Sequence, residues 1–139
     1  MTTSTTPEFI EQGEVPAALA VEKAVALGAP LGQISMSSDG NASLPLFENN
    51  KLTGIEVGRV SSLFKSFVQL AELIGFEDAL TTVTCNPANA LGLTNKGQLK
   101  SQFDVDAVLL DGDVIEYVWA KGVTMVALGE AIKLGQFEA

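Results

Sequence analysis

The sequence predicts an α/β unit followed by an antiparallel sheet, and three observations carry that reading. Residues 16–27 (PAALAVEKAVAL) have the punctuation of a helix, and a short loop links them to a strand-like alternation. Residues 60–92 then hold three consecutive helical pieces. After Lys96-Gly97 the pattern changes to β-branched and apolar runs separated by hairpin-type turn signals. A chain of 139 residues predicts one domain, long enough to bury roughly two thirds of its unfolded surface.

The first helix is bounded by Pro16, which suits an opening turn, by Gly28 just past its end, and by Pro30, which prevents continuation. Ala20, Val21, Ala24, Val25 and Leu27 give it one broad apolar face. In GQISMSSDG, Ile34 and Met36 alternate with Gln33, Ser35, Ser37 and Asp39, a period of two that predicts a strand over residues 34–38. Its polar face ends in Asp39, and Gly40 breaks the strand. A helix, a short loop and a strand ending in a carboxylate form half of an α/β unit, and in barrels of that class strand C-termini carry the chemistry.

Residues 40–58 are rich in Gly, Asn, Pro and Ser and read as a long loop or small hairpin with Glu48-Asn49-Asn50-Lys51 at its tip. Val60, Leu63, Phe64, Phe67, Leu70, Ala71 and Ile74 recur at three- and four-residue intervals, an amphipathic helix that Gly75 ends. Glu77 and Asp78 place negative charge at the start of the next helix. In TCNPANALGL, Asn86 as N-cap, Pro87 in the first turn and Gly92 past the end define another. Residues 107–110, 114–120, 123–128 and 130–134 are the runs of an antiparallel meander. The change from helices to strands places a seam near residues 94–104, dividing the chain into 1–95 and 96–139.

Composition excludes several functions. With 17 acidic and 8 basic side chains the net charge is −9, and a pI near 4.3 leaves no basic field for nucleic acid or an anionic membrane. At 47% apolar and 18% charged the chain is too hydrophobic for disorder. It contains no histidine, which removes the usual general base, the Ser-His and Cys-His nucleophile pairs and the commonest zinc ligand. One cysteine, Cys85, makes no internal disulfide and reads as a small packed residue. Residues 1–7 lack the features of a signal peptide, and no run reaches the 18 or so apolar residues of a membrane helix. A cytoplasmic chain is the expectation.

The string ISMSSDGNASLPLF, an amphipathic helix, TCNPANALGL, then NKGQL and DVDAVLLD resemble the C-terminal part of the metal-dependent amidohydrolase superfamily. SSDGN-x-S and the closing KGVTMVALGEAIKLGQFE are most similar to its isoaspartyl dipeptidase (β-aspartyl peptidase) branch. The resemblance spans residues 10 to 138 and implies the last strand and helices of a (β/α)₈ barrel plus part of a small β-sandwich over 105–135. It also implies that Asp39 is a zinc ligand and the catalytic proton shuttle, passing a proton from a metal-bridging hydroxide to the leaving amine. By the same resemblance Ser43 hydrogen-bonds a substrate carboxylate, while Gly40 and Asn41 shape its loop.

Two departures qualify what the resemblance implies. The other metal ligands of the family, an H-x-H pair, a carboxylated lysine and two later histidines, have no counterpart here. The expectation is therefore a piece of a binuclear zinc enzyme that hydrolyses β-aspartyl dipeptides, inactive and without zinc by itself, whose missing part lies upstream. Second, the family's Pro-Gly-x-Asp-Ala-Asp is here Ser101-Gln102-Phe103-Asp104-Val105-Asp106, so the tight glycine turn is expected to be lost.

Plainer readings stand beside these. Taken alone, Asp39 is a turn carboxylate before glycine. Asp104, Asp106, Asp111 and Asp113 do not meet the spacing of a calcium loop and read as turn carboxylates. Phe64 and Phe67 read as core, and Tyr117 and Trp119 as one face of a packed strand. Alternative functions are a piece of a dihydroorotase-like or N-acyl-amino-acid hydrolase, or a non-catalytic acidic α+β module. Unpaired strand edges predict a homo-oligomer if the chain folds alone.

Overall fold

The structure, a computed structural model, describes residues 2–3, 15–49 and 51–135. The chain folds as two compact units, residues 1–87 and 88–139.

In the first unit β1 (Thr2–Thr3) pairs parallel with β2 (Met36–Ser37), with α1 (Ala17–Ala26) between them in sequence. Pro16 lies just outside α1, with ψ at 139°. At the other end Gly28 is left-handed (φ 92°), and the Gly28 and Ala29 N–H groups donate to Val25 and Ala24. That pair of bonds is a Schellman end, which satisfies carbonyls the helix would leave open. Ala17, Ala18 and Val21 are the buried face, narrower than the apolar stripe of the sequence.

The strand expected over residues 34–38 shortens to Met36–Ser37, because a single turn of 3₁₀ helix (Leu31–Gln33) precedes it. Met36 is buried as the alternation requires, whereas Ile34 is only half-buried. Residues 40–58 form a true hairpin, β3 (Ser43–Glu48) and β4 (Lys51–Val57). Its ladder runs from Ser43↔Val57 to Glu48↔Lys51, with a bulge between Leu46 and Phe47.

The next helix, α2, covers Ser62–Ile74 rather than starting at Val60, which is exposed. Three-residue turns close residues 59–63 instead, with Ser62 N–H donating to Arg59 O and Leu63 N–H to Val60 O. The Ser62 hydroxyl also donates to the Arg59 carbonyl at 2.7 Å. Phe67 and Leu70 are buried as the helical spacing predicts. The Phe67 ring meets Phe64 at 6.0 Å and, edge-on, Phe76 at 5.5 Å. Gly75 separates α2 from α3 (Phe76–Val83), whose first turn holds Glu77 and Asp78. Helix α2 packs on both α1 and α3, and α3 packs on the 3₁₀ turn and β2.

Helix α4 (Cys85–Ala90) corrects one assignment: Asn86 lies inside it and does not cap it. The Asn86 amide instead donates to the carbonyls of Leu31 at 2.9 Å and Ile34 at 2.7 Å. A nitrogen with two N–H groups is worth more against two carbonyls of the irregular turn than an oxygen is as a cap. Buried at 7% exposure, Asn86 ties α4 to the segment that delivers β2.

The second unit carries a meander, β5 (Ala107–Asp111), β6 (Val114–Ala120), β7 (Val123–Ala127) and β8 (Glu130–Ala131), in the order β5-β6-β7-β8. Tyr117 and Trp119 share a face of β6 as expected, with rings stacked at 5.5 Å and 8° apart. Every described side chain of these strands is at least partly exposed.

The loop before β5 keeps the turn that the loss of glycine was expected to remove. Phe103 N–H donates to Lys100 O at 3.0 Å, and Gln102 adopts φ 72° in the glycine position. Lys96 holds the rest of this loop, pairing with Asp104 at 2.9 Å and with Asp106. The Asp106 carboxylate also accepts the Lys121 N–H at 2.7 Å, bracing the left-handed turn Lys121-Gly122 between β6 and β7. Hydrogen bonds from Lys96, then from the Lys121 amide, hold the Asp106 carboxyl below its ordinary value. The aspartates of DVD are thus paired carboxylates of a turn clamp, and no group of three or more His, Cys, Asp or Glu side chains among the described residues could hold a metal ion.

Candidate functional site

Asp39 follows β2 by two residues and is exposed. Its own backbone is left-handed (φ 51°), as is that of Asn41 (φ 66°), with Gly40 between them. Aspartate and asparagine tolerate this region better than other side-chain-bearing residues, yet two within three residues is stored strain. Hydrogen bonds hold it in place. Ala42 N–H donates to Asp39 O at 3.1 Å and closes the turn. Asn41 N–H donates to Gly58 O at 2.9 Å, and Gly58 N–H returns a bond to Ala42 O at 2.9 Å. The Ser38 hydroxyl accepts the Gly40 N–H at 3.2 Å.

The base of the hairpin therefore grips the turn that carries Asp39. Ser43 is the first residue of β3, opposite Val57, one position beyond the turn. The four residues singled out in the sequence, Asp39, Gly40, Asn41 and Ser43, thus lie on one turn and the strand it opens. Gly40 has a packing reason to be glycine: a Cβ there would lie 2.7 Å from Val60 Cγ2 and 3.2 Å from the Ser38 hydroxyl.

Two residues that sequence reasoning did not assign to the site also shape it. Gly58 is buried and faces the Asp39 carbonyl; its only sequence signal is its place directly after the alternating Ile55 and Val57. Asn86 fixes the path into β2 from 52 residues away, and its signal lay in the N-P-A triplet, which reads equally well as a cap. Chemically the turn offers one accessible carboxylate on a backbone that cannot readily shift, a group able to accept and return a proton. Among the described residues it has no second and third metal-ligating side chain beside it. The described residues therefore do not by themselves make a zinc site, which takes three or four protein ligands.

Comparison with known proteins places this arrangement. The amidohydrolase family profile matches residues 8–132. Among solved structures the chain is similar to β-aspartyl dipeptidase from the thermophilic keratin-degrading Fervidobacterium islandicum AW-1 in complex with β-Asp-Leu dipeptide. The TM-score is 0.78 and the identity 30%, over 96% of this chain and 35% of that one. A second structure of that organism's enzyme gives a TM-score of 0.73 at 26% identity, over 96% and 32% of the two chains. The chain thus spans about a third of the length of the solved structures it matches. Its helices and antiparallel sheets are a partial amidohydrolase fold, and no described helix is long and apolar enough to cross a membrane. With the profile matched over most of its length, the chain belongs to the amidohydrolase family.

Proposed function

We propose that this chain supplies the Asp39 end of an amide-hydrolysing site that acts on β-aspartyl dipeptides. The observation that carries the reading is its likeness, across 96% of its length, to an enzyme solved with β-Asp-Leu, at 30% identity. The Asp39 carboxylate accepts a proton from the attacking water as the water oxygen bonds to the amide carbon. It then passes that proton to the departing nitrogen as the C–N bond breaks, and returns to its starting charge. In this reading Ser43 donates its hydroxyl proton to a carboxylate of the substrate. The zinc that the family resemblance suggests would need further ligands from beyond the described residues.

The test is a chimera in which this chain replaces the aligned third of the Fervidobacterium islandicum enzyme. The expected result is release of leucine from β-Asp-Leu, reduced by about 10³-fold in the Asp39→Asn variant, the usual range for losing a general acid–base. A folded chimera whose Asp39→Asn variant hydrolyses the dipeptide as fast as its parent would refute the proposal. So would two bound zinc ions and hydrolysis by the isolated chain.

A further inference from the structure

We infer that Gly58 is a positioning residue for Asp39, an inference that deepens the functional reading above and rests on it. Gly58 follows the last residue of β4 and is buried where the hairpin base meets the Asp39 turn. A Cβ built on it would stand 2.7 Å from the Asp39 carbonyl oxygen and 3.6 Å from its carbonyl carbon. The first distance is far inside van der Waals contact, and the atom it strikes is backbone, which has no rotamer to escape into. The same glycine exchanges hydrogen bonds with both sides of the turn, accepting from Asn41 N–H and donating to Ala42 O, each at 2.9 Å. Any side chain at 58 must therefore open these bonds or push the Asp39 peptide away. Because Asp39 and Asn41 are both left-handed, the turn has little torsional slack to absorb the push. The missing methyl group at position 58 sets where the carboxylate points.

A control lies on β4 itself. Gly54 lies within the hairpin, and a Cβ there would meet only Leu46 Cδ1, at an ordinary 3.7 Å. Gly54→Ala makes the same change of composition and unfolded-state freedom without touching the turn.

The experiment compares Gly58→Ala, Gly54→Ala and the parent in two arms. In the first, amide resonances and hydrogen exchange are read on the 139-residue chain. Gly58→Ala is expected to displace the resonances of residues 39–42 and to speed exchange of the Asn41 N–H, while Gly54→Ala leaves both in place. Unchanged resonances at 39–42 in Gly58→Ala overturn the inference whatever the activity. Failure of Gly58→Ala to fold under conditions where Gly54→Ala folds also overturns it, since the glycine then serves the whole unit. In the second arm the chimera is assayed. Gly58→Ala is expected to lower kcat by ten- to a hundredfold, the scale of an ångström misplacement, with KM within twofold. Displaced resonances with unchanged kcat overturn the inference. A parent chimera without hydrolysis overturns the functional reading instead, and the first arm then decides the placement of Asp39 alone.

Discussion

Asn86→Ala removes a side chain that ties α4 to the turn before β2, and its cost can be worked from the partners. Two hydrogen bonds disappear, to Leu31 O and Ile34 O. The Leu31 oxygen keeps the Ile34 N–H as a partner at 3.0 Å, so only its second bond is lost. The Ile34 oxygen loses its amide donor in a half-buried position. At about 1 kcal/mol for each bond and about 1 more for the carbonyl left open, the loss is about 3 kcal/mol. Alanine inside α4 returns roughly 0.6 kcal/mol of helix propensity, leaving a net of about 2 kcal/mol. With a urea slope of about 2 kcal/mol per molar, the midpoint should fall by about 1 M. The helices α1 to α3 lie in the first unit, so far-UV circular dichroism follows the transition, while the only tryptophan, Trp119, reports the second. Asn86→Asp, which loses both donors and sets a charge against two carbonyls, should fall further, and exposed Asn89→Ala by less than about 0.3 M. An Asn86→Ala midpoint within about 0.3 M of the parent would refute the brace.

Gln102→Gly should stabilise the second unit by about 0.5–1 kcal/mol, because the relief of a left-handed side-chain-bearing residue exceeds the added freedom of the unfolded glycine. Gln102→Ala should give none of that gain; equal Trp119 unfolding midpoints for the two would count against the reading. The Asp106 carboxyl is held below its ordinary 3.8, so the native state binds fewer protons than the unfolded chain at acid pH. Its contribution is complete above about that value and declines as pH falls further. Lys96→Met, which removes the larger cause, should flatten the decline between pH 4 and 2 without abolishing it, since the Lys121 N–H remains. Parallel pH profiles for the two proteins would show that the clamp does not act.

What the sequence made legible was periodic or punctuated. Helix α1 between Pro16 and Gly28, the Phe67 and Leu70 stripe, and the four strands of the meander are set by local spacing and turn chemistry. What it hid depended on partners far along the chain. The strand that leads to the Asp39 turn is two residues long where Leu31 and Ile34 present their carbonyls to Asn86, and no local pattern encodes that pairing. Gln102 in a glycine conformation was unforeseen for a related reason: the Lys96 pairs and the Asp106 bond to Lys121 hold the loop whatever residue occupies the turn. At the site, Asp39, Gly40, Asn41 and Ser43 were readable as one string, but the need for glycine at 58 exists only once the hairpin closes on the turn.

The bulge between Leu46 and Phe47 divides the β3–β4 hairpin into two segments of different freedom. Below it, the pairs from Ser43↔Val57 to Leu46↔Gly54 are in register with the grip on Asp39; above it, only Phe47↔Leu52 and Glu48↔Lys51 lead to the tip. Extra residues between Glu48 and Lys51 change the length of a closed loop, at about 0.6 kcal/mol for each doubling, and leave the lower register untouched. That tip is consequently the place to graft a peptide tag or a fluorescent label, and the place where relatives can differ in length while the carboxylate at 39 stays where it is.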